Sequence, residues 1–184
     1  MSQTHIAVVV GSIRKESFNR QFAEAFVKLA PADFKFSFIR IDDLPLYDQD
    51  DDGNPAPQVT RLRDEIKQAD GVLFVTPEYN RSVPGVLKNA IDHASRPWGK
   101  SVWAGKPTAV IGVSVGAIGT AMAQQHLHNV LAYLAMPTLP GNEAFIQWKE
   151  GLVVNGEVGE QSKEFAQGIM DAFVAWVKKF PQGK

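Results

Sequence analysis

The sequence of 184 residues contains no cysteine, carries almost no net charge and lacks any long apolar run. The absence of cysteine excludes disulfides, thiolate nucleophiles, iron–sulfur clusters and cysteine-bound zinc. A formal net charge of −1 gives no strong field for nucleic acid or an anionic membrane, so we expect neither as a partner. Any redox chemistry must therefore come from a bound cofactor.

The apolar runs are too short for a membrane segment or a signal peptide. The first run covers residues 6–10, whereas a membrane helix needs about 18 apolar residues, and the basic segment of a signal peptide is missing before it. We therefore expect a cytoplasmic protein. With 45% hydrophobic and 21% charged residues, the composition is typical of a globular chain, and the length fits a single domain over residues 1–184.

Segments typical of strands alternate with segments typical of helices. Buried strands are predicted at residues 6–10, 71–76 and 108–113, where β-branched residues are frequent. Helices are predicted at residues 17–30 and 57–69, from about residue 84, near 119–135 and near 160–180. Residues 154–157 are typical of a tight turn or a small hairpin.

This alternation, repeated about five times, predicts a mostly parallel sheet with helices on both faces. Two strand orders are compatible with it, the flavodoxin-like 2-1-3-4-5 and the dinucleotide-binding 3-2-1-4-5-6. An expected number of about five strands favours the first order. We therefore predict an α/β, flavodoxin-like three-layer sandwich with a five-stranded parallel sheet, and expect ligands beyond strands one and three, where the order reverses.

The acidic segment 48–53 is similar to the start of a calcium-binding loop, with Asp48, Asp50 and Asp52 at alternate positions. The last ligand position of such a loop requires a bidentate glutamate but is occupied by Val59, and no helix precedes the segment at the required place. We expect an exposed acidic loop and no metal site.

The first loop, residues 11–19, leads from the first strand into the first helix. Gly11 permits a sharp turn, Ser12 and Ser17 offer hydroxyl groups, and the helix start presents unpaired N–H groups. The loop lacks the glycine pattern of pyrophosphate sites and the lysine of nucleoside triphosphate sites, so a monophosphate fits better, with Arg14 as its charge partner. Alternatively, Ser17 only caps the helix and Arg14 is only solvated.

The second loop, residues 77–85, follows the third strand and predicts a stiff wall for an aromatic ligand. Its two prolines restrict the backbone, Tyr79 offers a planar face, and backbone amides near Asn80 can meet the heteroatoms of a ring. In the third loop, residues 114–119, Ser114 and Gly116 let the backbone approach the edge of a ring. A plain turn from strand to helix is the alternative for the third loop.

Two of these loops resemble motifs of the NADPH-dependent FMN reductase family, which includes bacterial quinone and chromate reductases. Pro-Glu-Tyr-Asn at 77–80, followed by Ser82, Pro84, Gly85 and Leu-Lys-Asn-Ala-Ile-Asp at 87–92, is similar to the family signature. Gly-Ser-x-Arg-x-x-Ser-x-Asn at 11–19 is similar to its phosphate loop. The similarity extends through residues 44–48 and 104–107, but Ala117 and Ile118 interrupt the glycine run of the third loop.

The resemblance implies a flavodoxin-like fold with bound FMN and with NADPH or NADH as co-substrate. The residues implied to hold the FMN phosphate are Ser12, Arg14, Ser17 and Asn19. Those implied to border the isoalloxazine ring are Pro77, Glu78, Tyr79, Asn80 and Ser82. For Glu78 the alternative is a carboxylate that points outward or caps local backbone, and Asn89 and Asp92 are expected to form structural hydrogen bonds.

The expected activity is FMN-dependent oxidation of NAD(P)H with reduction of a quinone, or of free flavin, chromate or an azo compound. Hydride transfer takes place at N5 of the flavin, so no catalytic side chain is expected. One exposed planar site and the lack of a second nucleotide motif favour a ping-pong mechanism. The alternatives are a flavodoxin-type electron carrier, for which the surface has little acidic charge, and a phospho-acceptor domain, which needs aspartate where the chain has Gly11 and Pro77.

The resemblance also implies a homodimer or homotetramer. An apolar stripe on the expected fourth helix would form the contact or, alternatively, pack on the sheet. Its residues are Met122, Leu127, Val130, Leu131 and Leu134. His126 and His128 on the same helix are expected at the surface or an interface, and Trp98 and Trp103 are expected either to shield a site or to pack on their own loop.

Overall fold

The computed structural model describes residues 3–141 and 143–180. Five strands form one sheet, and every neighbouring pair is parallel. They are β1 (Thr4–Val10), β2 (Phe34–Phe38), β3 (Gly71–Val75), β4 (Thr108–Ser114) and β5 (Ala144–Gln147). The order β2-β1-β3-β4-β5 confirms the predicted flavodoxin-like arrangement.

In the part of the chain that the structure describes, five α-helices connect or follow these strands. They are α1 (Phe18–Phe26), α2 (Pro57–Gln68), α3 (Gly85–Ala94), α4 (Ala121–Tyr133) and α5 (Glu160–Val177). A short antiparallel pair, β6 (Val153–Val154) and β7 (Glu157–Val158), confirms the small hairpin before α5. Within residues 3–141 and 143–180, no helix combines the length and the apolar character needed to cross a bilayer.

The helices cover both faces of the sheet, which explains why the central strands are apolar at every position. Along β1, Ile6 and Val8 face a core that includes Phe22 of α1 and Phe173 of α5. The alternate residues of β1 face a second core, to which α2, α3 and α4 contribute. The members of the second core on β1 and these three helices are Ala7, Val9, Leu62, Ile66, Leu87, Ala90, Ile91, Ala94, Leu127 and Leu131.

Two details differ from the sequence predictions, whereas the acidic segment is exposed as expected. The helix predicted at 17–30 is α-helical only to Phe26 and ends in a 3₁₀ turn over Val27–Leu29. The acidic segment forms an exposed 3₁₀ turn over Gln49–Gly53. Trp103 neither shields a site nor packs only on its loop, because it is fully buried in the second core and its indole N–H donates to the carbonyl of Ile91 at 3.0 Å.

Candidate functional site

The three loops lie side by side at the carboxyl edge of the sheet. The N–H of Gly11 donates to the carbonyl of Val75 at 2.9 Å, and the N–H of Thr76 donates to the carbonyl of Ile111 at 2.9 Å. A Cβ added to Gly11 would lie 3.3 Å from Cδ of Pro77. The first loop therefore directly adjoins the second, and the second adjoins the third.

In the first loop, Ser12 and Arg14 are accessible whereas Ser17 is buried. The Oγ of Ser17 accepts from the N–H of Arg20 at 3.2 Å and so caps α1. This is the alternative role given above for Ser17. The guanidinium of Arg14 lies 5.1 Å from the ring centre of Phe18. None of the ion pairs in the described part of the chain includes Arg14. This leaves its charge available to an anion.

Asn19 is buried, and its side-chain amide is used by β4. Its Nδ2 donates to the carbonyl of Val113 at 2.8 Å, and its Oδ1 accepts from the N–H of Val113 at 2.9 Å. The resemblance implies a phosphate contact at this position, but both ends of the amide here bind one residue of the sheet. Asn19 therefore fixes the start of α1 to the end of β4, which carries the third loop.

The second loop contains a tight two-residue turn. Tyr79 and Ser82 exchange two backbone hydrogen bonds of 3.1 and 3.0 Å. The residues between them, Asn80 and Arg81, have φ values of 51° and 63°, which is the pattern of a type I′ turn. Non-glycine residues in this left-handed region cost about 1–3 kcal/mol and occur most often at functional sites. The turn fixes the backbone at Tyr79, and this residue is 52% exposed.

Glu78 joins the second loop to α4. Its side chain is only 8% exposed, and its Oε2 accepts from the N–H groups of Met122 at 2.9 Å and Ala123 at 3.1 Å. These groups lie in the first turn of α4, where Thr120, the N-cap residue, forms no side-chain capping bond. The other oxygen of Glu78 accepts from Arg81 at 3.2 Å. The carboxylate thus caps the N-terminus of α4, which is the alternative role given above for Glu78. Its negative charge also interacts favourably with the positive end of the helix dipole.

The third loop is held by Ser114 and by two glycines. Oγ of Ser114 donates to the carbonyl of Gly119 at 2.7 Å and accepts from the N–H of Gly116 at 3.1 Å. Gly119 has a φ of 60°, which favours glycine. A Cβ on Gly116 would lie 3.4 Å from Oγ of Ser114 and near no other atom of the described residues. Gly116 therefore leaves room for the close approach of a ring.

The third helix fixes the segment that precedes α2. The side chain of Asn89 accepts from the N–H of Tyr47 at 2.8 Å and donates to the carbonyl of Pro45 at 2.8 Å. Asp92 pairs with Lys88 on the surface of α3. Both residues form the structural contacts expected of them.

A cavity of about 380 Å³ lies beside the first loop, between the ends of β1 and β2. Its polar lining includes Ser12, Arg14, Arg20 and Arg40. A larger groove of about 900 Å³ lies at the opposite edge of the sheet, where Asp70 and Pro107 precede β3 and β4. Ligands of this fold bind at the carboxyl edge, so the larger groove lies outside the candidate site. The smaller cavity adjoins the first loop on the side of β2 and contains no residue of the second or third loop.

Removal of the Glu78 carboxylate tests its capping role. Glu78→Ala is expected to lower the free energy of unfolding of the FMN-free protein by about 1–2 kcal/mol, because two N–H groups of α4 lose their acceptor. Urea denaturation measures this change. Arg81→Ala is the control, since an exposed ion pair contributes about 0–1 kcal/mol. Equal losses in the two variants would show that the capping bonds contribute nothing beyond the ion pair.

The sheet order and the adjoining loops define a flavodoxin-like protein with a site for a phosphate-bearing planar ligand. The model of the NADPH-dependent FMN reductase family matches residues 4–150. The chain belongs to this family, which confirms the resemblance inferred from the first and second loops. It is an NAD(P)H-dependent oxidoreductase with FMN as its cofactor.

Individual relatives match nearly the whole chain. It is 55% identical over 176 residues to a 2-hydroxy-1,4-benzoquinone reductase of Burkholderia sp, with 94% of this chain and 96% of the relative covered. It is 49% identical over 181 residues to a quinone reductase of Pseudomonas putida, with 97% of each covered. The solved structure of FerB, a flavoenzyme NAD(P)H:(acceptor) oxidoreductase of Paracoccus denitrificans, superposes with a TM-score of 0.92 at 45% identity, over 96% of this chain and 98% of that one.

Proposed function

We propose that this oxidoreductase reduces quinones, or similar flat two-electron acceptors, at the second loop. The observation that carries the proposal is the exposed side chain of Tyr79 on a tight turn of the second loop, which adjoins the first loop through Pro77 and Gly11. Two highly identical relatives are quinone reductases, which supports the same acceptor class here. Free flavin, chromate and azo compounds are further acceptors that the same chemistry can reduce.

The residues of the three loops fit FMN. Arg14, Ser12 and the start of α1 together suit the charge of a terminal phosphate. Tyr79 offers a flat surface to the ring, and Gly116 leaves space at its edge. When bound, FMN supplies a centre that accepts and donates hydride. The chain itself binds the phosphate and orients the two substrates in turn.

We propose a ping-pong mechanism in which NAD(P)+ leaves before the acceptor binds. It is supported by one exposed planar site and by a sequence without a second nucleotide-binding motif. Arg81 is an exposed cation near this site and is a candidate for contact with the 2′-phosphate of NADPH.

A spectrum of the purified protein with and without added FMN, followed by anaerobic NADPH, tests the proposal. We expect FMN to be bound, NADPH to bleach its absorbance rapidly, and an added quinone to restore that absorbance. Rapid bleaching without a partner reductase also separates an enzyme from a flavodoxin-type electron carrier. Parallel initial-rate plots are expected for a ping-pong mechanism, whereas intersecting plots would contradict it.

We also propose a homodimer or homotetramer. Leu127 and Leu131 of α4 are fully buried in the core, so these two residues of the stripe pack on the sheet as the alternative states. Tyr133 of the same helix is 74% exposed and is available for contact. A solution mass of 20.2 kDa, that of one chain, would contradict the proposal. A cytoplasmic location remains a prediction.

A further inference from the structure

Quinone reduction by NAD(P)H consumes a proton that the coenzyme does not supply. NAD(P)H gives up a hydride, which is two electrons and one proton, whereas a hydroquinone differs from its quinone by two electrons and two protons. The second proton comes from solution and can reach an oxygen atom of the acceptor through a side chain, through water or through the reduced cofactor. The proposed function therefore raises the question of which group near Tyr79 provides it.

His126 is an imidazole at the border of the second loop. It lies on α4, is exposed, and its Nδ1 is 3.0 Å from Oγ of Ser82. Met122 lies one turn earlier on the same face of the helix, with its backbone N–H bound by Glu78. The exposed face of α4 beside the second loop thus presents an apolar side chain and a polar one, as a quinone with an apolar ring and carbonyl oxygens requires.

Ser82 is suited to hold His126 in either protonation state. Its hydroxyl donates to Nδ1 of the neutral ring, which places the hydrogen on Nε2, and it accepts from Nδ1–H of the imidazolium. In both states Nε2 carries a hydrogen on the side of the ring away from Ser82. Nε2–H is therefore free of this contact and can donate to a ligand.

The charged groups of the second loop are already engaged. Glu78 binds two N–H groups of α4 and Arg81, so its carboxylate has no proton to give. Arg81 is a permanent cation and pairs with Glu78. Among uncharged side chains, the imidazole of histidine is the one that ordinarily exchanges protons near neutral pH. His126 is thus the side chain here that suits proton transfer.

We propose that His126, positioned by Ser82, is the proton donor to the quinone acceptor. Nε2–H binds a carbonyl oxygen of the quinone, with Met122 and Tyr79 against its apolar ring. The imidazolium gives its Nε2 proton to this oxygen as the hydride equivalent reaches the acceptor. The ring that remains is neutral, with its hydrogen on Nδ1 and donated to Oγ of Ser82, and a proton from water then restores the imidazolium. The sum is quinone, NAD(P)H and a proton giving hydroquinone and NAD(P)+. This inference rests on the proposed function.

The closing experiment separates the two half-reactions by stopped flow. His126→Gln is expected to slow oxidation of the reduced protein by 1,4-benzoquinone at least about tenfold. This is less than the roughly 100-fold or more that general acids usually contribute, because water reaches this open site and can replace the imidazole. Reduction by NADPH and the affinity for FMN should stay within about twofold of the unsubstituted protein. Added imidazole should restore part of the quinone rate of His126→Gly, which a purely structural role does not predict.

The chain offers a matched control two residues away. His128 is half-buried, and burial lowers its pKa. It lines a separate cavity with Thr138 and Pro140. His128→Gln should leave both half-reactions unchanged. Ser82→Ala, which removes the hydroxyl that positions His126, should slow the quinone step a few-fold.

Binding supplies a readout other than activity. In the oxidised, FMN-loaded protein, added hydroquinone should shift the NMR signals of the His126 ring. The signals of His5, whose Nε2 is 2.9 Å from Ser37 Oγ on the paired strand β2, should not move. An unmoved His126 signal, or a normal quinone step in His126→Gln, overturns the inference alone. Failure of the unsubstituted protein to bind FMN or to be bleached by NADPH overturns the proposed function instead.

Discussion

Gly112→Ala is expected to lower the free energy of unfolding by more than about 3 kcal/mol. Much of the protein is then unfolded and does not bind FMN. Gly112 lies in the central strand β4, and an added Cβ would overlap Oγ1 of Thr120 and the carbonyl oxygen of Thr76. A change of side-chain rotamer at Thr120 cannot relieve the second overlap, because Thr76 contributes a backbone atom. Urea denaturation and a fluorescence titration with FMN measure the two effects.

Gly112 affects the site because it lies between the segments that lead to the second loop and follow the third loop. Thr76 directly follows β3 and begins the approach to the second loop, whereas Thr120 is the N-cap residue of α4. Close contact of both with Gly112 brings the second and third loops together over the end of β4. A displaced backbone here would therefore change the site as well as the stability of the sheet.

Gly168→Ala is the matched control for this substitution. Gly168 lies in α5, is exposed, and has no atom within 4 Å of an added Cβ. The same chemical change should there raise the free energy of unfolding by about 0.5–1 kcal/mol, since alanine favours a helix over glycine. If Gly112→Ala unfolds at the same urea concentration as the unsubstituted protein, the close approach at β4 does not constrain the fold.

The sequence located the central strands better than the edge strands. Residues of β1, β3 and β4 are apolar at nearly every position because helices cover both faces of the sheet there. The edge strand β2 instead alternates, with Lys35 exposed, and β5 has only four residues. Neither contains the continuous apolar run by which the other strands were found.

The loops of the site were predictable from local residues, but the contacts between them were not. Glycine, proline and hydroxyl residues after each strand are local signals of turns and anion sites. Glu78 and Met122 are 44 residues apart, as are Ser82 and His126. Asn19 and Val113 are 94 residues apart. Two of these partners are backbone groups, which leave no trace in residue type, so only the folded chain reveals that Glu78 caps α4 and that Asn19 binds β4.

Ser12→Ala combined with Arg14→Ala is expected to weaken FMN binding at least about tenfold, the effect of losing about one charge-assisted hydrogen bond. Ser12 is half-buried and Arg14 exposed, so the free energy of unfolding should change by less than about 0.5 kcal/mol. A fluorescence titration with FMN measures the affinity. Lys15→Ala is the control, because it removes an exposed positive charge from the same loop and should change the affinity by less than about threefold.

Riboflavin identifies the part of FMN that the first loop recognises. It has the same ring as FMN but no phosphate, so the double variant should bind riboflavin as the unsubstituted protein does while its preference for FMN falls. The loss for FMN should also shrink at high salt, since screening weakens the contribution of Arg14 to phosphate binding. An equal loss for both flavins would mean that Ser12 and Arg14 support the ring site instead, and unchanged affinity for FMN would place the phosphate elsewhere.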